Sequence, residues 1–139
     1  MNHVEIVHRP EGVTGRLVEA HTTKGHEFRM DSGEAMVAAT PADTLLAALG
    51  GCSSMDVIDI LRKKRQTVTD YRVILDGERR TEHPKVFTRI TVRHVVTGRG
   101  VSEPAVREAI RLSDEKYCTV HAMLAPTVEL VSSWEVREG

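Results

Sequence analysis

The feature that most constrains the fold is a long apolar segment at residues 40–65. Its first residues, Thr40-Pro41-Ala42-Asp43, place a hydroxyl at the N-cap, a proline at the first helical position and an acid three residues after the cap. Apolar residues then recur at helical spacing, and a basic run at residues 62–65 lies where the helix dipole favours positive charge. The pattern predicts one long helix with a buried first half.

Segments with the alternation of strands lie on both sides of this helix. Residues 15–22 and 26–30 are expected to pair as a hairpin across Thr23-Lys24-Gly25. Residues 67–97 show a two-residue period that predicts two adjacent antiparallel strands, and residues 127–136 have strand composition. The sequence therefore predicts β-structure before and after the long helix.

A second helical region is expected after the two central strands. Ser102 is a suitable N-cap for a helix that runs to about Lys116, and residues 119–124 predict a further short helix before Pro126. Cys118 lies between these two helices. Because the chain has neither an internal repeat nor a linker, it is predicted to be a single α+β domain over residues 1–139.

Charge and hydropathy exclude several classes of partner. The formal net charge is −1, from 19 basic and 20 acidic residues, so no long-range field would attract nucleic acid or an anionic membrane. The first residues do not resemble a signal peptide, and no segment is expected to approach the roughly 20 apolar residues of a membrane span. We expect a cytoplasmic protein that binds neither nucleic acid nor membrane.

The two cysteines, Cys52 and Cys118, are the groups with the most distinctive chemistry. They are far apart in the chain and lack Cys-x-x-Cys spacing, and the seven histidines form no helical i, i+4 pair, so no metal site is expected. His121 lies three residues after Cys118, which leaves a Cys–His pair open. Each cysteine could equally be a small, inert core residue.

A pair of glycines, Gly50-Gly51, precedes Cys52 inside the predicted helix. Each glycine costs the helix about 0.5–1 kcal/mol relative to alanine. Such a cost is usually offset by close approach of another part of the structure. We therefore expect another helix or another subunit to contact this turn and to leave the Cys52 thiol in a shallow pocket.

With these residues in view, the chain resembles the OsmC/Ohr family of osmotically inducible and organic-hydroperoxide-resistance proteins. The similarity is most specific in Gly50-Gly51-Cys52 and Lys116-Tyr117-Cys118, and other segments are similar to the YhfA-like branch of the family. The resemblance implies an OsmC-like fold, with a curved antiparallel sheet around a long central helix. It also implies an intertwined homodimer with two equivalent sites at the interface.

The resemblance further implies a thiol peroxidase activity. Cys52 would attack a hydroperoxide as a thiolate and become a sulfenic acid, and Cys118 would condense with it into a disulfide. A dithiol or dihydrolipoyl-type reductant would then restore both thiols. The chemistry requires no metal and no organic cofactor, and its partners would be a small organic hydroperoxide and the reductant.

Two positions depart from the family pattern. Peroxidases of the family carry a glutamate ten residues before the reactive cysteine, paired with an arginine of the N-terminal strands, whereas this chain has Ala42 there and an acid at Asp43. Arg16 is the candidate for the arginine, and Asp43 also fits the capping box of the helix. Asp56, one helical turn after Cys52, would oppose ionisation of the thiol if it were unpaired. The alternative function is therefore a non-enzymatic dimer of the same fold that binds a small apolar ligand at the subunit interface.

Overall fold

The computed structural model describes residues 1–139, which divide into two compact units, Met1–Leu45 and Leu46–Gly139. Each unit contains one three-stranded sheet, and the chain has helices as well, so the predicted α+β class is confirmed. The expected organisation as one domain stays a prediction.

The first unit holds an antiparallel sheet of β1 (Val4–His8), β2 (Val18–Thr22) and β3 (Glu27–Met30), in that order. The expected hairpin between β2 and β3 is confirmed, and its turn places Gly25 at a φ of +80°, which glycine adopts without steric cost. Strand β1 was not predicted. Most of its residues are exposed, so burial imposes little alternation on its sequence.

The long helix, α1, spans Pro41–Lys63, close to the predicted bounds. At its start, the backbone N–H of Asp43 donates to the Thr40 hydroxyl at 3.1 Å. At its end, Arg65 takes a left-handed φ of 56° and the N–H of Gln66 donates to the Leu61 carbonyl at 3.0 Å. These contacts satisfy backbone groups that the helix termini leave without intrahelical partners.

By length and composition alone, α1 is long and apolar enough to cross a membrane. The expectation that no segment approaches a membrane span is therefore wrong. Core helices of soluble proteins pass the same test. Leu49, Val57 and Leu61 of α1 are buried and pack within the protein. Most residues before Leu49 are exposed or half-buried, so the expected burial of the first half of the helix is wrong.

The second unit holds a mixed sheet in the order β4 (Thr67–Arg79), β5 (Phe87–Arg99) and β6 (Glu129–Glu138). Strands β4 and β5 are antiparallel, as predicted, but β6 runs parallel to β5. The expectation of a wholly antiparallel sheet is therefore corrected. Helices in the connection carry the chain back across the sheet before β6 begins, and such a crossover produces a parallel pair.

Helix α2 spans Glu103–Leu112, a π-helical turn follows at Ser113–Tyr117, and α3 spans Thr119–Leu124. Ser102 caps α2, as predicted, by accepting the N–H of Ala105 at 3.2 Å. The regular helix ends earlier than expected, because the last segment before Cys118 takes the wider π-helical turn.

Residues of α1, α2 and β5 form the core of the second unit: Val57, Leu61, Val96, Val106, Ala109 and Ile110. Strand β5 lies at the centre of the sheet, and most of its side chains between residues 90 and 98 are buried. The packing of α1 and α2 on this sheet positions the residues described below.

Candidate active site

Cys52 lies on α1, half-buried and unoxidised, directly after the glycine pair. A Cβ added to Gly50 would lie 2.5 Å from Cδ1 of Leu75, so the side chain of this β4 residue packs against the helix backbone. A close approach therefore exists within the chain, where a strand and not another helix makes it, and contact with another subunit stays a prediction. A Cβ at Gly51 would meet nothing within 4 Å.

Gly51 lines a surface pocket of about 340 Å³ between α1 and β4. The other lining residues are mostly apolar and come from the two elements: Ala47, Gly50, Ser54, Ile58, Tyr71, Val73 and Leu75. The volume is within the range of pockets that hold small ligands. The glycine pair predicted a shallow pocket that holds the Cys52 thiol, but Cys52 is not among the residues that line this pocket.

Cys118 is buried at the junction between the π-helical turn and α3. Its backbone N–H donates to the Ser113 carbonyl at 2.8 Å, which closes the π-helical turn. Its sulfur accepts the backbone N–H of His121 at 3.4 Å and so caps the N-terminus of α3. Both ends of the residue are therefore fixed by backbone hydrogen bonds.

The two thiols are neighbours in the structure, close enough that Cys52 contributes to the raised pKa of the Cys118 thiol. Burial raises the pKa of the Cys118 thiol to about 12, with smaller contributions in the same direction from Cys52 and Asp56, while the N–H of His121 lowers it. Cys118 is therefore a neutral thiol at neutral pH, and Cys52 is the more accessible sulfur.

The carboxylate of Asp56 has a hydrogen-bond partner, so the condition for the earlier expectation, an unpaired Asp56 that opposes ionisation of Cys52, is not met. The hydroxyl of Ser113 donates to Oδ2 of Asp56 at 2.9 Å and lies 3.5 Å from Oγ of Ser53. Both serines are buried. The hydrogen bond fixes the carboxylate between α1 and the π-helical turn, from where its charge opposes ionisation of Cys118.

The imidazole of His121 is directed at Asp114, with Nε2 3.8 Å from Oδ1. Asp114 also accepts a hydrogen bond from the Ser132 hydroxyl at 2.6 Å, and burial raises the pKa of its carboxyl. Because Cys118 contacts the backbone of His121 and not its imidazole, the possible Cys–His pair is not formed. The sequence analysis missed Asp114, since a single acid in a predicted helix carries no distinguishing signal.

A buried pair, Tyr71 and His94, was also missed. The tyrosine oxygen lies 2.7 Å from Nδ1 of His94, and Nε2 of this fully buried histidine has no hydrogen-bond partner. Burial lowers the pKa of His94 to about 4, so the ring is neutral at neutral pH. The one available signal was a histidine within the alternating apolar run of β5.

Arg16 is exposed on the loop between β1 and β2, where its backbone N–H donates to the Thr14 hydroxyl at 3.1 Å. It belongs to the Met1–Leu45 unit, whereas both cysteines belong to the Leu46–Gly139 unit. Its role beside the thiolate stays a prediction.

Comparisons with known proteins agree with this architecture. A family model described as OsmC-like protein matches residues 32–132. Protein YhfA of Escherichia coli strain K12 is 42% identical over 128 residues, which cover 92% of this chain and 96% of that protein. A hypothetical protein from Aquifex aeolicus has a crystal structure with a TM-score of 0.86 and 36% identity, over 100% of this chain and 98% of that one. The organic hydroperoxide resistance protein OhrB of Bacillus subtilis has the same fold, with a TM-score of 0.63 at 13% identity over 96% of this chain and 98% of its own. This chain therefore belongs to the OsmC-like protein family.

Proposed function

We propose that this chain is a cytoplasmic, homodimeric, thiol-dependent peroxidase that reduces organic hydroperoxides. The observation that carries the proposal is the pair of neighbouring free thiols, a half-buried Cys52 and a buried Cys118. Membership of the OsmC-like family supports it. So does the likeness in fold to a protein described as an organic hydroperoxide resistance protein.

In the first step, the Cys52 thiolate attacks one oxygen of the hydroperoxide. A sulfur–oxygen bond forms, the O–O bond breaks, and the leaving alkoxide takes up a proton to become an alcohol. The sulfur is oxidised to a sulfenic acid while the peroxide is reduced. Arg16 is proposed as the cation that stabilises the thiolate, on the basis of the family resemblance alone.

In the second step, the sulfur of Cys118 attacks the sulfenic sulfur of Cys52. A disulfide bond forms, the S–O bond breaks, and the hydroxyl group leaves as water with the proton of the Cys118 thiol. The burial and high pKa of Cys118 disfavour it as the group that attacks the peroxide, so Cys52 begins the reaction, and Cys118 must lose its proton as it attacks the sulfenic sulfur. A dithiol reductant then exchanges with the disulfide, restores both thiols and is itself oxidised to a disulfide.

Exposed apolar side chains support the homodimer and the preference for organic substrates. Met55 and Ile58 on α1 are 68% and 39% exposed, and Ile74 on β4 is 38% exposed. Contact with a second copy would remove this area from water. Met55 lies one helical turn after Cys52, where its side chain favours an apolar substituent on the hydroperoxide over hydrogen peroxide.

The test is oxidation of the reduced protein by an equimolar amount of an organic hydroperoxide, followed by thiol titration and non-reducing mass spectrometry. We expect loss of both thiols and a Cys52–Cys118 bond within one chain. Cys52→Ser should leave Cys118 unreacted, whereas Cys118→Ser should leave Cys52 as a sulfenic acid that dimedone traps. Unreacted thiols in the unaltered protein would refute the peroxidase, and faster oxidation by hydrogen peroxide would refute the organic preference.

The pocket of about 340 Å³ beside Gly51 favours a second candidate, binding of a small apolar ligand without turnover. Its lining is mostly apolar, and a Cβ at Gly51 would meet nothing within 4 Å, so the space beside this residue is open. A ligand that copurifies with protein whose thiols resist oxidation would support this function over the peroxidase.

A further inference from the structure

A cluster of charged residues occupies one face of the sheet in the Met1–Leu45 unit. Glu19 and His21 lie two residues apart on β2, so their side chains share a face, and Glu27 on β3 is directly opposite His21. Ala20, between Glu19 and His21, points to the other face and is fully buried. The cluster therefore lies on the polar face of this sheet.

The ring of His21 contacts a carboxylate at each nitrogen. Nε2 lies 3.2 Å from Oε1 of Glu19, and Nδ1 lies 3.2 Å from Oε2 of Glu27. A neutral imidazole carries one N–H, so one of these contacts would set a nitrogen lone pair against a carboxylate oxygen. A metal ion between the ring nitrogen and that carboxylate would replace this unfavourable contact by two favourable ones.

We propose that His21 and Glu27 bind a divalent transition metal ion, with Zn²⁺ as the best fit to the donors. One nitrogen and carboxylate oxygens are a ligand set that Zn²⁺ accepts. The ligand atoms of Glu19, His21 and Glu27 all lie within 4.8 Å of one another. Tetrahedral bonds of the usual Zn–N and Zn–O lengths place neighbouring ligand atoms about 3.3 Å apart, close to the 3.2 Å between Nδ1 and Oε2.

Glu19 takes the supporting position. Its carboxylate already pairs with Arg9 at 2.8 Å, and this hydrogen bond is the main reason that its pKa is lowered. With the metal on Nδ1 of His21, the N–H at Nε2 donates to Glu19 and fixes the ring, as carboxylates do for many metal-binding histidines.

In the proposed site, a change of side-chain rotamer would bring Glu5 on β1 to the metal as a third ligand. It is directly opposite His21 in the β1–β2 register, on the other side from Glu27. Opposite residues of antiparallel strands have Cβ atoms about 4.5–5.5 Å apart, within reach of a glutamate side chain. The site thus combines one ligand from each of the three strands, and a fourth position is left for water.

The test is a calorimetric titration of the full-length protein with Zn²⁺ at neutral pH. The matched variants are His21→Gln, His26→Gln, which removes an exposed histidine of the neighbouring turn, and Cys52→Ser with Cys118→Ser, which removes the thiols as competing ligands. We expect His21→Gln to weaken binding by roughly tenfold or more, with the other variants keeping the site.

Equal affinity in His21→Gln and His26→Gln would overturn the proposal. So would the absence of zinc binding by the protein without cysteines. Because His21 and His26 lie on the surface, their variants are expected to fold, and unchanged far-ultraviolet circular dichroism would verify the folding of every variant, including the one without cysteines. The result is independent of the peroxidase, which requires the cysteines.

Discussion

Replacement of the two neighbouring glycines of α1 by alanine tests what lies against the helix beside Cys52. Alanine is favoured over glycine in a helix interior by about 0.5–1 kcal/mol. At Gly51 the added methyl group meets nothing within 4 Å. Gly51→Ala is therefore expected to raise the free energy of unfolding by that amount, unless a second molecule occupies this space.

Gly50→Ala is the matched control, because it gains the same helix propensity one position away. Its added methyl group would lie 2.5 Å from Cδ1 of Leu75, so the leucine must move. Overpacking a dense core costs about 1–3 kcal/mol, and the cost here is at the lower end, about 1 kcal/mol, because the contact is with the far end of a half-buried leucine side chain. The propensity gain cancels between the two variants, so their difference in stability measures the overpacking and should be about 1 kcal/mol, with Gly50→Ala the less stable.

Urea unfolding followed by the fluorescence of Trp134, the one tryptophan, provides the assay. It should be run at several protein concentrations, because the stability of a dimer depends on concentration. Equal stability of the two variants would refute the packing argument at Gly50. Destabilisation by Gly51→Ala that grows with protein concentration would refute the open pocket and indicate that a second copy packs against Gly51.

Two further predictions concern titration. Asp56→Asn should lower the pKa of Cys118, because the negative charge of Asp56 contributes to raising it. The pKa is measured from the thiolate absorbance of Cys118 in a Cys52→Ser background, with Asp59→Asn as the control, and an unchanged pKa in Asp56→Asn would contradict the argument. Burial lowers the pKa of His94 to about 4 in the folded protein, whereas the pKa in the unfolded chain is about 6.5. Between about pH 4 and pH 6.5 the unfolded chain therefore binds more protons than the folded protein does. The contribution of His94 to the free energy of unfolding should be constant above about pH 6.5 and fall by about 3 kcal/mol as the pH decreases to about 4. Urea unfolding midpoints measured across this pH range test the prediction. If the free energy of unfolding of His94→Gln depends on pH as strongly as that of the unaltered protein, the effect belongs to other groups.

The local elements were largely predictable, because their signals are short-range. The cap at Thr40, the apolar spacing that follows it and the basic C-terminus defined α1 within a few residues. Ser102 likewise defined the start of α2. The β2–β3 hairpin followed from Gly25, which supplies the positive φ of its turn.

The errors have physical causes of their own. Strand β1 is mostly exposed, so its residues are under little pressure to alternate. The direction of β6 depends on the path of the chain through α2 and α3, and the side chains of a strand alternate in the same way whichever direction it runs. The π-helical turn before Cys118 has no sequence signal comparable to a cap.

The sequence by itself determined the class of fold, the long helix and, through its motifs, the family, and it singled out the two cysteines as the groups proposed to react. Only the tertiary structure brought Cys52 beside Cys118, paired Asp56 with Ser113 and buried one thiol more deeply than the other. It also showed that Leu75 is the neighbour of Gly50. Helix caps and periodicity act between residues a few positions apart, whereas the environment of a thiol is set by elements distant in the chain, whose packing no local pattern encodes.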